Sequence, residues 1–131
     1  MWSDKYHYYN IQKDRLLSEE FDTPRLRLFL GQIPELEQVS DYEFKNNGSF
    51  PFMRVSLIRA KNPSSWSDND HDALRTNLIS IVCAKRDEVT SQRIIAVLIQ
   101  IASFLNWELV EEETDEGIEY FRVWQPRRGH S

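Results

Sequence analysis

Seven carboxylates, Glu108, Glu111, Glu112, Glu113, Asp115, Glu116 and Glu119, fall between residues 108 and 120 with no base among them. Three chemistries could use such a cluster. General acid–base catalysis needs two acids in unlike environments, one of them desolvated, and carboxylates beside a turn are all solvated. A transition-metal site wants histidine or cysteine ligands, and neither occurs in the stretch. Recognition of a basic partner needs only density and exposure, because a focused negative patch steers association and fixes register.

The other reactive side chains are few. Three histidines, His7, His71 and His130, stand far apart in the sequence, which disfavours zinc. "DNDHD" sets Asp68, Asp70 and Asp72 at the odd spacing of a calcium loop, but Ala73 stands where such a loop needs glycine and Ile79 where it needs a bidentate glutamate. These acids are better read as the first turn of a helix. Cys83 lies inside an apolar run and reads as an inert buried thiol. The only four glycines, Gly31, Gly48, Gly117 and Gly129, supply no phosphate-cradling loop. The expectation is a protein with no catalytic residues, no metal and no cofactor.

Charge location sharpens the reading. The net charge is −5, yet residues 1–66 hold nine bases and nine acids. Without the seven clustered acids the chain would carry 16 bases against 14 acids. Acidity is therefore a property of one segment, and the scattered bases leave no footprint for nucleic acid. The single cysteine excludes an intrachain disulfide and suits a reducing, cytoplasmic setting. The longest apolar run, 94–105, is too short to span a bilayer, so no membrane association is expected.

Elements must position these groups. "FMRVSLIRA" (52–60) alternates Met53, Val55 and Leu57 with Arg54 and Ser56, as a half-buried strand does. "RLRLFLG" predicts a strand over 26–30, and another is expected over roughly 40–45. Ser67 with Asp70 predicts a short helix running to about Asn77. "LISIVCA" (78–84) reads as an interior strand, with a helix over 68–84 the competing reading.

The strongest pattern is a helix over about 88–106, whose Gln92, Arg93, Ala96, Gln100 and Ser103 form a narrow exposed stripe. "WELVEEE" and "IEYFRVW" then form a β-hairpin, with Gly117 in the turn at positive φ. A turn centred on Asp115 and Glu116 pairs Trp107 with Trp124, Leu109 with Arg122, Val110 with Phe121, Glu111 with Tyr120 and Glu112 with Glu119. Like charges directly opposite cost up to about 1 kcal/mol. The fold expected is a single α+β domain over 1–131: a mostly antiparallel sheet on one long core helix, plus a short helix and a C-terminal hairpin. Residues 1–6 and 126–131 are expected to be loose.

The long apolar helix ending in the Asn106–Trp107 step and followed by an acidic hairpin, "IIAVLIQIASFLNWELVEEETDEGIEYF", resembles small acidic α/β immunity proteins of bacterial toxin systems. The resemblance is one of organisation over 87–124. It implies a non-enzymatic bacterial protein that occludes a cognate toxin with a basic surface, a nuclease being the apt case. The partner-binding residues expected from the hairpin itself are Glu111, Glu112, Glu113, Asp115, Glu116 and Glu119, with Trp107, Tyr120 and Trp124 as aromatic anchors. Two alternatives stand beside it. One is a homo-oligomeric structural or adaptor subunit, a homodimer for instance. The other is a small enzyme whose pocket uses Tyr6, His7, Tyr8 and Tyr9 with Asp41 and Glu43.

Overall fold

The computed structural model describes residues 6–48, 50–60, 71–84, 87–113 and 117–126, with Glu113 and Tyr120 described by their strand positions. The elements run β1 (Tyr6–Gln12), β2 (Phe21–Asp22), α1 (Thr23–Gly31), β3 (Leu36–Gln38), β4 (Glu43–Asn46), β5 (Met53–Ile58), β6 (Arg75–Thr76), β7 (Leu78–Ala84), α2 (Glu88–Leu105), β8 (Glu108–Glu113) and β9 (Glu119–Trp124). Seven strands form one antiparallel sheet in the order β3-β4-β5-β7-β1-β8-β9, and β2 pairs separately with β6. The expected α+β architecture is the one observed.

Alternation along each strand divides the sheet into two faces. Ile11, Val55, Leu57, Ile79, Ile81 and Leu109 turn to the inner face, where Leu26 and Leu30 of α1 and the buried side of α2 complete one core. Helix α2 begins at Asp87, whose carboxylate accepts from the Thr90 amide at 2.8 Å, and ends at Asn106 in the left-handed region. Its Ile94, Val97, Leu98, Ile101, Ala102 and Leu105 are buried, while Gln92, Arg93, Ala96, Gln100 and Ser103 are exposed as expected. Burying each large aliphatic chain contributes about 1.5–3 kcal/mol. By length and composition alone α2 could cross a membrane, but a core helix passes the same test.

Three expectations are corrected. Residues 26–30 form helix α1, not a strand: Asp22 caps it by accepting from the Arg25 amide at 3.0 Å, and Pro24 suits the first turn. Leu26 and Leu30, four apart, are buried on one helical side, whereas Leu28 is 69% exposed. A strand would have placed all three on one face.

The short helix expected over 67–77 is also absent from its described part, 71–77. Asp72 instead accepts from the amides of Leu74 and Arg75, closing a turn that delivers Arg75 and Thr76 to β6. Thr76 then meets the Thr23 hydroxyl at 2.7 Å, and Asn77 hydrogen-bonds both backbone groups of Ala60. Asp68 and Asp70 lie outside the described residues, as does the start of that expected helix. The strand at 78–84 is β7 to the residue, which removes the helix over 68–84.

The third correction is the hairpin register. The strands pair one residue away from the expected register, so Val110 faces Arg122, Glu111 faces Phe121 and Glu113 faces Glu119, and a bulge between Leu109 and Val110 adds a further shift that sets Leu109 opposite Trp124. The like-charge pair exists, but Glu113 takes the place expected for Glu112. Gly117 has φ 82°, the positive value anticipated for the turn.

Candidate functional site

The acids of β8 do not form one patch, because a strand sends successive side chains to opposite faces. Glu111 turns inward and accepts from Nδ1 of His7 at 2.8 Å, with only 12% of its side chain exposed. Glu112 turns outward, where burial pushes its carboxyl above the usual carboxylate range against an opposing hydrogen bond from the Asn10 amide. Glu108 is buried on the outer face and accepts from Gln12 Nε2 at 3.1 Å and from Arg122 Nε at 3.0 Å. Three of the seven acids are thus committed to contacts inside the domain.

What faces outward at the hairpin is nearer its tip. Glu119 is exposed opposite the strand position of Glu113, and Ile118 and Phe121 are exposed beside it. Asp115 and Glu116 lie outside the described residues. Of the expected aromatic anchors, Trp107 is fully buried and donates from Nε1 to Glu19 at 2.8 Å, so it cannot reach a partner. Its place follows Asn106: the left-handed cap turns the chain sharply, and the indole joins the core. Trp124 is half-buried against the core, and Tyr120 has a place in β9.

The inner face brings together a second constellation. Cys83 stands opposite His7 in the β1–β7 ladder, and His7 is bonded to Glu111, so thiol, imidazole and carboxylate share one neighbourhood. Nucleophilic chemistry would need a thiolate. Burial, with the Glu111 charge adding to it, instead pushes the thiol up to about 12, and the thiol donates to the His7 carbonyl at 4.0 Å. Cys83 is 1% exposed, as its apolar run foretold.

Other histidine chemistry is similarly confined. His71 stacks on Tyr42 at 4.6 Å and its Nδ1 donates to the Leu57 carbonyl at 2.7 Å. The enzyme reading grouped Tyr6, His7, Tyr8 and Tyr9 with Asp41 and Glu43; alternation separates them. Tyr8 and Glu43 line a cavity of about 420 Å3 on the outer face, while His7 and Tyr9 lie on the inner one. Tyr6 packs edge-on to Phe52, and the Asp41 carbonyl accepts from Arg27. Among the described residues, no group of three or more His, Cys, Asp or Glu side chains could hold a metal ion.

The outer cavity is the feature that sequence reading missed. Arg54, Ser56, Ser80, Val82, Glu43, Tyr8 and Glu112 come to it from five different strands. No local motif could have found it, since only the cross-strand register aligns them. No protein family, curated protein or solved structure matches the chain.

Proposed function

We propose that the chain is a non-enzymatic protein-binding domain whose acidic hairpin tip recognises a basic protein, and that it serves as an immunity protein neutralising a cognate toxin in the bacterial cytoplasm. The observation that carries this reading is the like-charge pair. Glu113 stands opposite Glu119, and Glu119 is exposed. Such a pair opposes hairpin stability. A site that keeps this cost gains a dense negative tip on a rigid two-stranded support, where carboxylates can take the place of phosphates before a nuclease's basic surface. Glu113, Asp115, Glu116 and Glu119 are the contacting residues in this reading, with Tyr120 and Phe121 beside them. Glu111 and Glu112 act indirectly, through the charge they add behind the tip.

The test begins with proteins that co-purify from the source organism and with protection of cells against the product of a neighbouring gene. The captured partner is then titrated with the wild-type chain and with the Glu113→Lys/Glu116→Lys/Glu119→Lys variant. An affinity loss above tenfold, with the fold intact, supports the tip; an unchanged affinity rejects it.

One observation favours a second reading, a homodimer through the β9 edge. The strand ends the sheet, and Phe121 and Ile118 are 46% and 49% exposed on and beside it. Unpaired edge groups with apolar side chains are a template for strand addition. Light scattering over a hundredfold concentration range separates the two: a constant monomer mass removes the dimer.

A further inference from the structure

The outer face of the sheet carries two straight cross-strand rows. In one, Glu43 faces Ser56, Ser56 faces Ser80, Ser80 faces Asn10 and Asn10 faces Val110. In the other, Lys45 faces Arg54, Arg54 faces Val82 and Val82 faces Tyr8; Glu112 follows, one step beyond the Tyr9–Glu111 pair. The second row is electrically ordered. Two cations stand at its β4–β5 end, a carboxylate at its β8 end, and an aliphatic and an aromatic side chain between them.

Arg54, Val82, Tyr8 and Glu112 all line the cavity of about 420 Å3, and the Ser56 and Ser80 hydroxyls line its flank. Four neighbouring strands separate Arg54 from Glu112 by three spacings, about 14 Å between backbones. Both side chains line the same cavity. Arg54 uses one nitrogen, Nη2, on Glu43 at 3.0 Å, and a guanidinium has five N–H donors. It can therefore hold a second anion.

We propose that this cavity binds a small dipolar molecule of the ω-amino carboxylate class. Its carboxylate meets Arg54, its ammonium meets Glu112, and its methylene chain lies over Val82 and the Tyr8 ring with the two serine hydroxyls alongside. A simple anion would be repelled by Glu112 and Glu43, and a simple cation would leave the remaining Arg54 donors unmet. Only a ligand with both charges, separated by an apolar middle, satisfies the whole row. The site shares only Glu112 with the charge behind the hairpin tip and goes beyond the protein-binding reading.

The experiment is an amide-resolved NMR titration of the full chain with 6-aminohexanoate, and in parallel with hexanoate and with hexylamine. The expected result is saturable shifts confined to residues around Tyr8, Ser56, Ser80, Val82 and Glu112, with 6-aminohexanoate binding at least tenfold tighter than either single-charge analogue. Glu112→Gln should erase its advantage over hexanoate, and Arg54→Gln its advantage over hexylamine. Ser80→Val, which keeps every charge but crowds the floor, should weaken binding at least fivefold and guards against a charge variant that fails to fold. Shifts elsewhere on the molecule, equal affinity for all three probes, or variants that bind as the wild type does would overturn the proposal.

Discussion

Trp107 and Glu19 are joined by an indole-to-carboxylate hydrogen bond of 2.8 Å across 88 residues of chain. The bond ties the segment before β2 to the first residue after the cap of α2, whose indole is fully buried in the core. Trp107→Ala is expected to cost about 3–5 kcal/mol in urea unfolding, from lost burial and the cavity left behind. Trp107→Phe keeps most of the packing and should cost far less. A Trp107→Ala variant as stable as the wild type would contradict the burial.

Arg122 bridges the exposed edge strand to the buried Glu108. Its removal in Arg122→Met leaves the buried Glu108 carboxylate with Gln12 as its remaining partner among the described residues, at a cost of about 1–3 kcal/mol. In Arg122→Met/Glu108→Met the charge disappears with its partner, and most of the loss should be recovered. A double-mutant cycle in chemical denaturation measures the coupling.

Glu112 sets a pH dependence of known sign. Burial raises its folded-state value above the 4.5 of an exposed glutamate, so the folded protein holds that proton more tightly than the unfolded chain. The stability this contributes is fully present below the unfolded value and is lost as pH rises through the folded one. Glu112→Gln carries no such titration. Its stability relative to the wild type should therefore increase with pH across that window, and a flat difference between the two denaturation curves from pH 4 to 8 would contradict it.

Cys83, with its thiol pushed up to about 12, should resist alkylation by iodoacetamide in the native protein at pH 8 and react once the chain is unfolded. Mass spectrometry of the alkylated chain checks both arms. Rapid native labelling would place the thiol in the open and revive nucleophilic chemistry beside His7 and Glu111.

Much of this architecture was legible because periodicity and burial agree in the long elements. In α2 the exposed stripe from Gln92 to Ser103 follows the turn of the helix, and in β5 and β7 alternation marks the inner face. Where the reading failed, a local signal competed with a tertiary one. The alternation in "RLRLFL" mimics a strand, and the stronger clue was the Asp22 cap followed by Pro24 with leucines four apart. "SDNDHD" carries helix-starting residues, yet Asp72 spends its carboxylate on a turn and Thr76 is claimed by the β2–β6 pair.

The candidate sites divide the same way. The acidic hairpin was visible as composition, but a one-residue difference in strand pairing sets Glu113, not Glu112, opposite Glu119. Trp107 was visible as an aromatic beside charge, and only the fold shows that it points into the core. The outer rows were invisible because their members are scattered from Tyr8 to Glu112 and meet only through the four registers that join five strands.

Recognition through the hairpin tip is the central claim, and partner affinity measured against ionic strength tests it most directly. For the captured partner, the expected result is an affinity that falls steeply between 50 mM and 500 mM salt and a further loss above tenfold at low salt in Glu113→Lys/Glu116→Lys/Glu119→Lys. A folded triple variant that binds as tightly as the wild type, with no dependence on salt, would contradict it.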